Sequence, residues 1–95
     1  MIKIIIERRI MPGLEEEYEA AAREAMRESL TARGFIGGES LVEMGHGDRR
    51  LMITKWRDMR AWKEWYTSEQ RSRVMQKLLP LLTEDESIRI YEPTR

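Results

Sequence analysis

The chain has no cysteine and one histidine among its 95 residues. Without cysteine there is no disulfide, no thiolate nucleophile and no thiolate metal site. A lone His46 falls short of the two or more imidazoles that catalytic zinc or iron usually takes with carboxylates, so no metal site is expected. An excess of one charge is also lacking: 17 Lys and Arg balance 17 Asp and Glu. Bulk electrostatics therefore attract neither a phosphate backbone nor an anionic membrane, and neither partner is expected. No apolar stretch approaches the roughly 18 residues of a membrane span. The start, Met1-Ile2-Lys3-Ile4-Ile5-Ile6, passes into charged residues without signal-peptide anatomy, which leads to the expectation of a cytoplasmic protein. No glycine-rich phosphate loop is present.

What the chain does have is 41% apolar and 36% charged residues, the composition of a globular protein. Residues 1–95 suffice for one domain that buries about 60 to 65% of its unfolded surface. The β-branched run Ile2 to Ile6, closed by Met11-Pro12-Gly13, reads as a first strand, with Ile2, Ile4 and Ile6 on one face. Leu14 to about Leu30 spaces Leu14, Tyr18, Ala21, Ala22, Ala25 and Ser29 as an amphipathic helix ended by Gly34. Glu15, Glu16 and Glu17 in its first turn oppose the helix dipole by about 0.3 to 1 kcal/mol each, and point in different directions, which explains them better than a metal cluster does. The small alanine stripe would let this helix lie close to a sheet.

Phe35 to Met44 reads as a second strand with a bulge or close approach at Gly37-Gly38. Gly45-His46-Gly47-Asp48 reads as a hairpin turn, and Arg50 to Trp56 as an antiparallel third strand. Asp58 can cap a second helix, with a fresh start at Ser68 and an end or kink at Pro80. Ser87 to Glu92 completes the order β-α-β-β-α-β, a ferredoxin-like α+β fold whose two helices cover one face of a four-stranded antiparallel sheet. Both faces carry apolar groups: Leu51 and Ile53 lie opposite Met52 and Trp56 on strand three, and Ile88 and Ile90 opposite Tyr91 on strand four. An uncovered apolar face marks an interface, so a homodimer joined through its sheets is expected.

For a site, the aromatic and methionine residues of the second helical segment are the strongest candidates. Trp62, Trp65, Tyr66 and Met75, with Ile4, Ile6 and Met52 from the sheet, would line an apolar pocket for a small apolar or aromatic molecule. The same residues could instead be ordinary core. Trp65 and Tyr66 are adjacent and cannot both point inward. His46 could act as a base at the pocket mouth, although a turn between two glycines is usually solvated. Tyr66 or Tyr91 could position a phenolic oxygen, and Glu7 or Glu43 could serve as base if desolvated.

Ile10-Met11-Pro12-Gly13 with Glu15-Glu16-Glu17-Tyr18, then Gly34-Phe35-Ile36-Gly37-Gly38-Glu39, Ile53-Thr54-Lys55-Trp56 and Ala61-Trp62-Lys63-Glu64-Trp65, resembles the antibiotic biosynthesis monooxygenase domain family over nearly the whole chain. The resemblance implies a dimeric α+β barrel and a scaffold shared by cofactor-free oxygenases of aromatic polyketides or quinols, haem-degrading monooxygenases and signal-molecule isomerases. The haem-degrading branch uses an Asn on strand one, a Trp on helix two and a His ten residues later. At those positions this sequence has Ile6, Trp65 and Met75, so only the Trp is kept. The resemblance therefore implies a cofactor-independent monooxygenase, with no cofactor, acting on a small phenol, quinol or polyketide-like aromatic. A non-catalytic dimer that binds a small ligand or a protein partner is the alternative on the same fold.

Overall fold

The computed structural model describes residues 1–94. Its elements are β1 (Ile2–Arg9), α1 (Glu15–Ser29), β2 (Phe35–Glu43), β3 (His46–Trp56), α2 (Met59–Tyr66), α3 (Glu69–Leu78) and β4 (Ser87–Tyr91), with a 3-10 turn at Leu79–Leu81. The four strands form one antiparallel sheet in the order β2-β3-β1-β4. This is the expected ferredoxin-like α+β fold, with the second helical segment divided in two. Asp58 caps α2 by accepting from the Ala61 N–H at 2.9 Å, and Ser68 caps α3 by accepting from the Arg71 N–H at 3.0 Å. Two caps ten residues apart leave the backbone a break between them, at Thr67 and Ser68.

Register sorts the side chains onto the two faces. Ile2 lies opposite Trp56, Ile4 opposite Thr54 and Ile6 opposite Met52, and Ile88 lies opposite Ile6. That face meets the helices. Two core clusters result. One joins Ile2, Ile4, Ile6, Met52 and Trp56 to Ala61, Trp62 and Trp65 of α2. The other joins Ile10, Tyr18, Ala21 and Ala22 to Val74, Met75, Leu78 and Leu82. The alanines of α1 thus meet α3 rather than the sheet, because α3 shares the layer with α1 and small side chains let two helices approach.

Several boundaries depart from the sequence reading. β1 continues past Ile6 to Arg9, since Arg8 keeps the inward phase of the strand and finds partners there. α1 stops at Ser29, before Gly34. Gly34 instead takes a positive φ of 83° at the entry to β2, and its carbonyl accepts from the Arg57 N–H at 2.7 Å. The hairpin turn is Met44-Gly45, with Gly45 at φ 79°, so His46 opens β3 and pairs with Glu43. The expected irregularity at Gly37 is present as a register shift between Phe35 and Gly37. Among the described residues no helix is long and apolar enough to cross a membrane.

Candidate functional site

A cleft lies between the inner face of the sheet and the helices. The period of β1 supplies Ile6 and Arg8 to it, and that of β3 supplies Met52, Thr54 and Trp56. Met26 and Ser29 come from α1, Trp62 and Trp65 from α2, and Arg71, Val74 and Met75 from α3. The three- and four-residue spacings Trp62/Trp65 and Arg71/Met75 put each pair on one helix face. Trp56 is the hub of the apolar side. It is fully buried, meets Phe35 edge-on at 5.1 Å and Trp62 at 5.7 Å, and stacks with Trp65 at 6.3 Å between ring centroids. Its indole N–H donates to Thr54 Oγ1 at 3.0 Å, so the ring is buried without an orphaned donor.

The other side of the cleft is polar. Arg8 Nε donates to Glu86 Oε2 at 2.8 Å, one Nη of Arg8 donates to the Tyr18 hydroxyl at 3.2 Å, and an Nη of Arg71 donates to Glu86 Oε1 at 2.7 Å. The side chains of Arg8, Arg71 and Glu86 are only 4%, 11% and 9% exposed. Arg71 also lies over the Tyr66 ring at 4.8 Å and the Trp62 ring at 6.0 Å, within cation–π range. Burial pushes the Glu86 carboxyl up, but the Arg8 charge and the hydrogen bond from Arg71 outweigh it and hold the group below its ordinary value. Burial works against the charge on Arg8, and Tyr18 and Glu86 more than offset it, leaving its pKa raised.

The free volume of the cleft is about 40 Å³. A water needs roughly 10 to 15 Å³ on such a measure, and a cavity that admits benzene has about 150 Å³. As it stands the cleft takes a few waters, and an aromatic ring requires its walls to move. Three of those walls are Met26, Met52 and Met75, unbranched side chains that repack readily.

Of the residues singled out from sequence, Ile6, Met52, Trp62, Trp65 and Met75 line this cleft. Ile4 does not: it is wholly enclosed beneath the cleft among the core residues. Tyr66 is not part of the lining and is 47% exposed, because Trp65 beside it takes the inward direction; its ring packs on the outside of Trp62 and Arg71. His46 is exposed at the hairpin, with Nε2 at 3.6 Å from Glu43 Oε2. Tyr91 stands opposite Lys3 on the outer face of the sheet. Glu7 is paired with Arg89 at 3.4 Å and Glu43 with Arg49 at 3.0 Å, both carboxylates about half exposed, so neither is a desolvated base.

The sequence reading missed Arg8, Arg71, Glu86, Thr54 and Trp56 as parts of the site. A signal existed for two of them. Ile2, Ile4, Ile6, Arg8 and Ile10 form one alternating buried series, and Arg71 shares the inward phase of Val74, Met75 and Leu78. A charged residue in an apolar phase is worth asking about, since it is buried only when paired. Glu86, in the segment before β4, gave no such signal.

Among the described residues no three His, Cys, Asp or Glu gather as a metal site. Ile6, Trp65 and Met75 do converge on the cleft, but they offer a haem iron one neutral thioether and no imidazole, and Ile6 supplies no amide to hydrogen-bond a ligand. The residues present do not fit haem.

A family model described as antibiotic biosynthesis monooxygenase matches residues 1–77. The chain belongs to that family. Solved structures share the fold of this antibiotic biosynthesis monooxygenase family member. One described as an antibiotic biosynthesis monooxygenase superposes with a TM-score of 0.90 at 16% identity, covering 100% of both chains. SnoaB, a cofactor-independent oxygenase from Streptomyces nogalater, gives a TM-score of 0.87 at 16% identity, covering 99% of this chain and 94% of its own. A conserved protein from Methanosarcina mazei Go1 gives 0.90 at 18% identity, covering 98% of this chain and 92% of its own. No curated protein matches the chain significantly.

Proposed function

We propose that the chain is a cofactor-independent monooxygenase that oxidises a small electron-rich aromatic in the cleft beside Trp65. The observation that carries this reading is the make-up of the cleft, with tryptophan and methionine walls for a flat ring and guanidinium groups at one side. Family membership and the likeness to SnoaB support it. In such a reaction the ionised substrate is itself the reductant. An anthrone-type methylene and dioxygen give a carbonyl and water: the carbon loses four electrons, dioxygen gains four, and no external reductant is needed. The part left to the protein is to bind the ring, favour loss of its proton and exclude water. Oxygen uptake with a panel of anthrones and quinols tests the reading, and uptake no faster than the uncatalysed rate with every member of the panel counts against it.

The narrowness of the cleft favours a second reading, a non-catalytic dimer that binds a small ligand or a protein partner. Under either reading the functional unit is a homodimer. The outer face of the sheet carries Ile5, Ile53, Leu41 and Leu51 in adjoining register positions, fringed by charges of both signs. Such a patch meets its own copy without net repulsion.

A further inference from the structure

We infer that Arg8 and Arg71, sharing the single carboxylate of Glu86, form an anion-binding subsite on the polar side of the cleft, suited to an ionised oxygen carried on an aromatic ring. The inference rests on the reading of this cleft as a ligand site. Its basis is a charge count among buried groups. Two guanidinium groups face one carboxylate, so the cluster carries one uncompensated positive charge. A structural ion pair needs only one arginine, and an excess buried charge is expensive unless something answers it.

Among the described residues no carboxylate other than Glu86 lies within ion-pair distance of either guanidinium, Glu84 and Asp85 lining a separate recess that Arg8 borders. From α1, Tyr18 offers Arg8 a hydroxyl. From α2, Tyr66 and Trp62 offer Arg71 ring faces. From β3, Arg50 is the cross-strand partner of Arg8 and adds further positive charge, itself answered by Glu19 at 2.6 Å. Each guanidinium has five N–H donors, and the contacts above use two on Arg8 and one on Arg71. Both arginines line the cleft beside the indoles, so a ring held against Trp62 and Trp65 would bring an anionic substituent to them. The ionised oxygen is that of a phenolate or of a carboxylate, since fork-shaped guanidinium donors suit either.

The test uses the full chain and three probes of similar shape: 4-nitrophenol, 4-nitrobenzoate and 4-nitroanisole. The phenolate of the first absorbs visible light, so its ionisation is read directly. Binding is expected to lower the pH at which 4-nitrophenol ionises, corresponding to at least a tenfold preference for the phenolate, with 4-nitroanisole at least tenfold weaker. Competition by 4-nitrobenzoate assigns the subsite to anionic oxygen in general, and failure to compete restricts it to phenolates. Arg71→Gln should lose at least tenfold in phenolate affinity, Arg71→Lys should recover part of it, and Glu86→Gln, which adds a net positive charge, should tighten binding. A purely structural cluster would instead weaken binding alike in Arg71→Gln and Glu86→Gln. Should Glu86→Gln fail to fold, the Arg71→Gln and Arg71→Lys pair decides. Binding of 4-nitroanisole as tight as the phenolate, or no binding of either anion, overturns the inference. Oxygen uptake separates it from the reading above: uptake without anion preference overturns the inference alone, and anion preference without uptake overturns the monooxygenase alone.

Discussion

Glu86 is the residue on which most of the buried charge depends. Its carboxyl is held below its ordinary value, so the stabilisation it gives is complete above the unfolded value near 4.5 and is lost as the pH falls through the lower, folded value. Urea unfolding between pH 7 and pH 3 should show stability declining below about pH 4.5, and Glu86→Gln should flatten that part of the profile. At pH 7 the same substitution leaves two buried guanidinium groups without a counter-charge and is expected to lower stability by about 3 to 5 kcal/mol. Tyr18→Phe takes an acceptor from buried Arg8 and should lower it by about 1.5 to 3 kcal/mol.

At the scale of elements, the strand and helix pattern was largely legible. β1, α1 and β4 follow from their periodicity, and Asp58 and Ser68 divide the second helical segment as their capping chemistry requires. Less legible was anything that depends on which elements become neighbours. Gly34 reads as a helix end, yet its role is to take a positive φ beside α2, where an added Cβ would collide with Cβ of Ala61. Gly34→Ala should therefore cost at least about 2 kcal/mol in chemical denaturation, since the left-handed backbone alone costs a side chain about 1 to 2. Ser68→Ala, by contrast, should remove the cap of α3, with the hydroxyl's bond to the Trp65 carbonyl, and cost about 1 kcal/mol. The candidate site divides in the same way. Its apolar wall was readable from the Trp and Met positions, whereas the Arg8–Glu86–Arg71 cluster joins residues up to 78 positions apart, which no local pattern can reveal.

For the molecule as a whole, the two faces of the sheet have different tasks: one closes over the cleft, and the other presents Ile5, Leu51 and Ile53 outward. Ile53→Lys places a charge in the middle of that outer patch. Light scattering should show the parent chain at twice its 11.3 kDa mass and the variant as a monomer with unchanged helix and strand content; a monomeric parent would refute the proposed pairing. The methionine walls of the narrow, 40 Å³ cleft also bear on the speed of any encounter. If a ring enters only when Met26, Met52 and Met75 have moved aside, side-chain rearrangement rather than diffusion limits its arrival. In stopped-flow mixing, the observed binding rate should level off as ligand concentration rises, and the plateau would measure how often the unliganded protein opens.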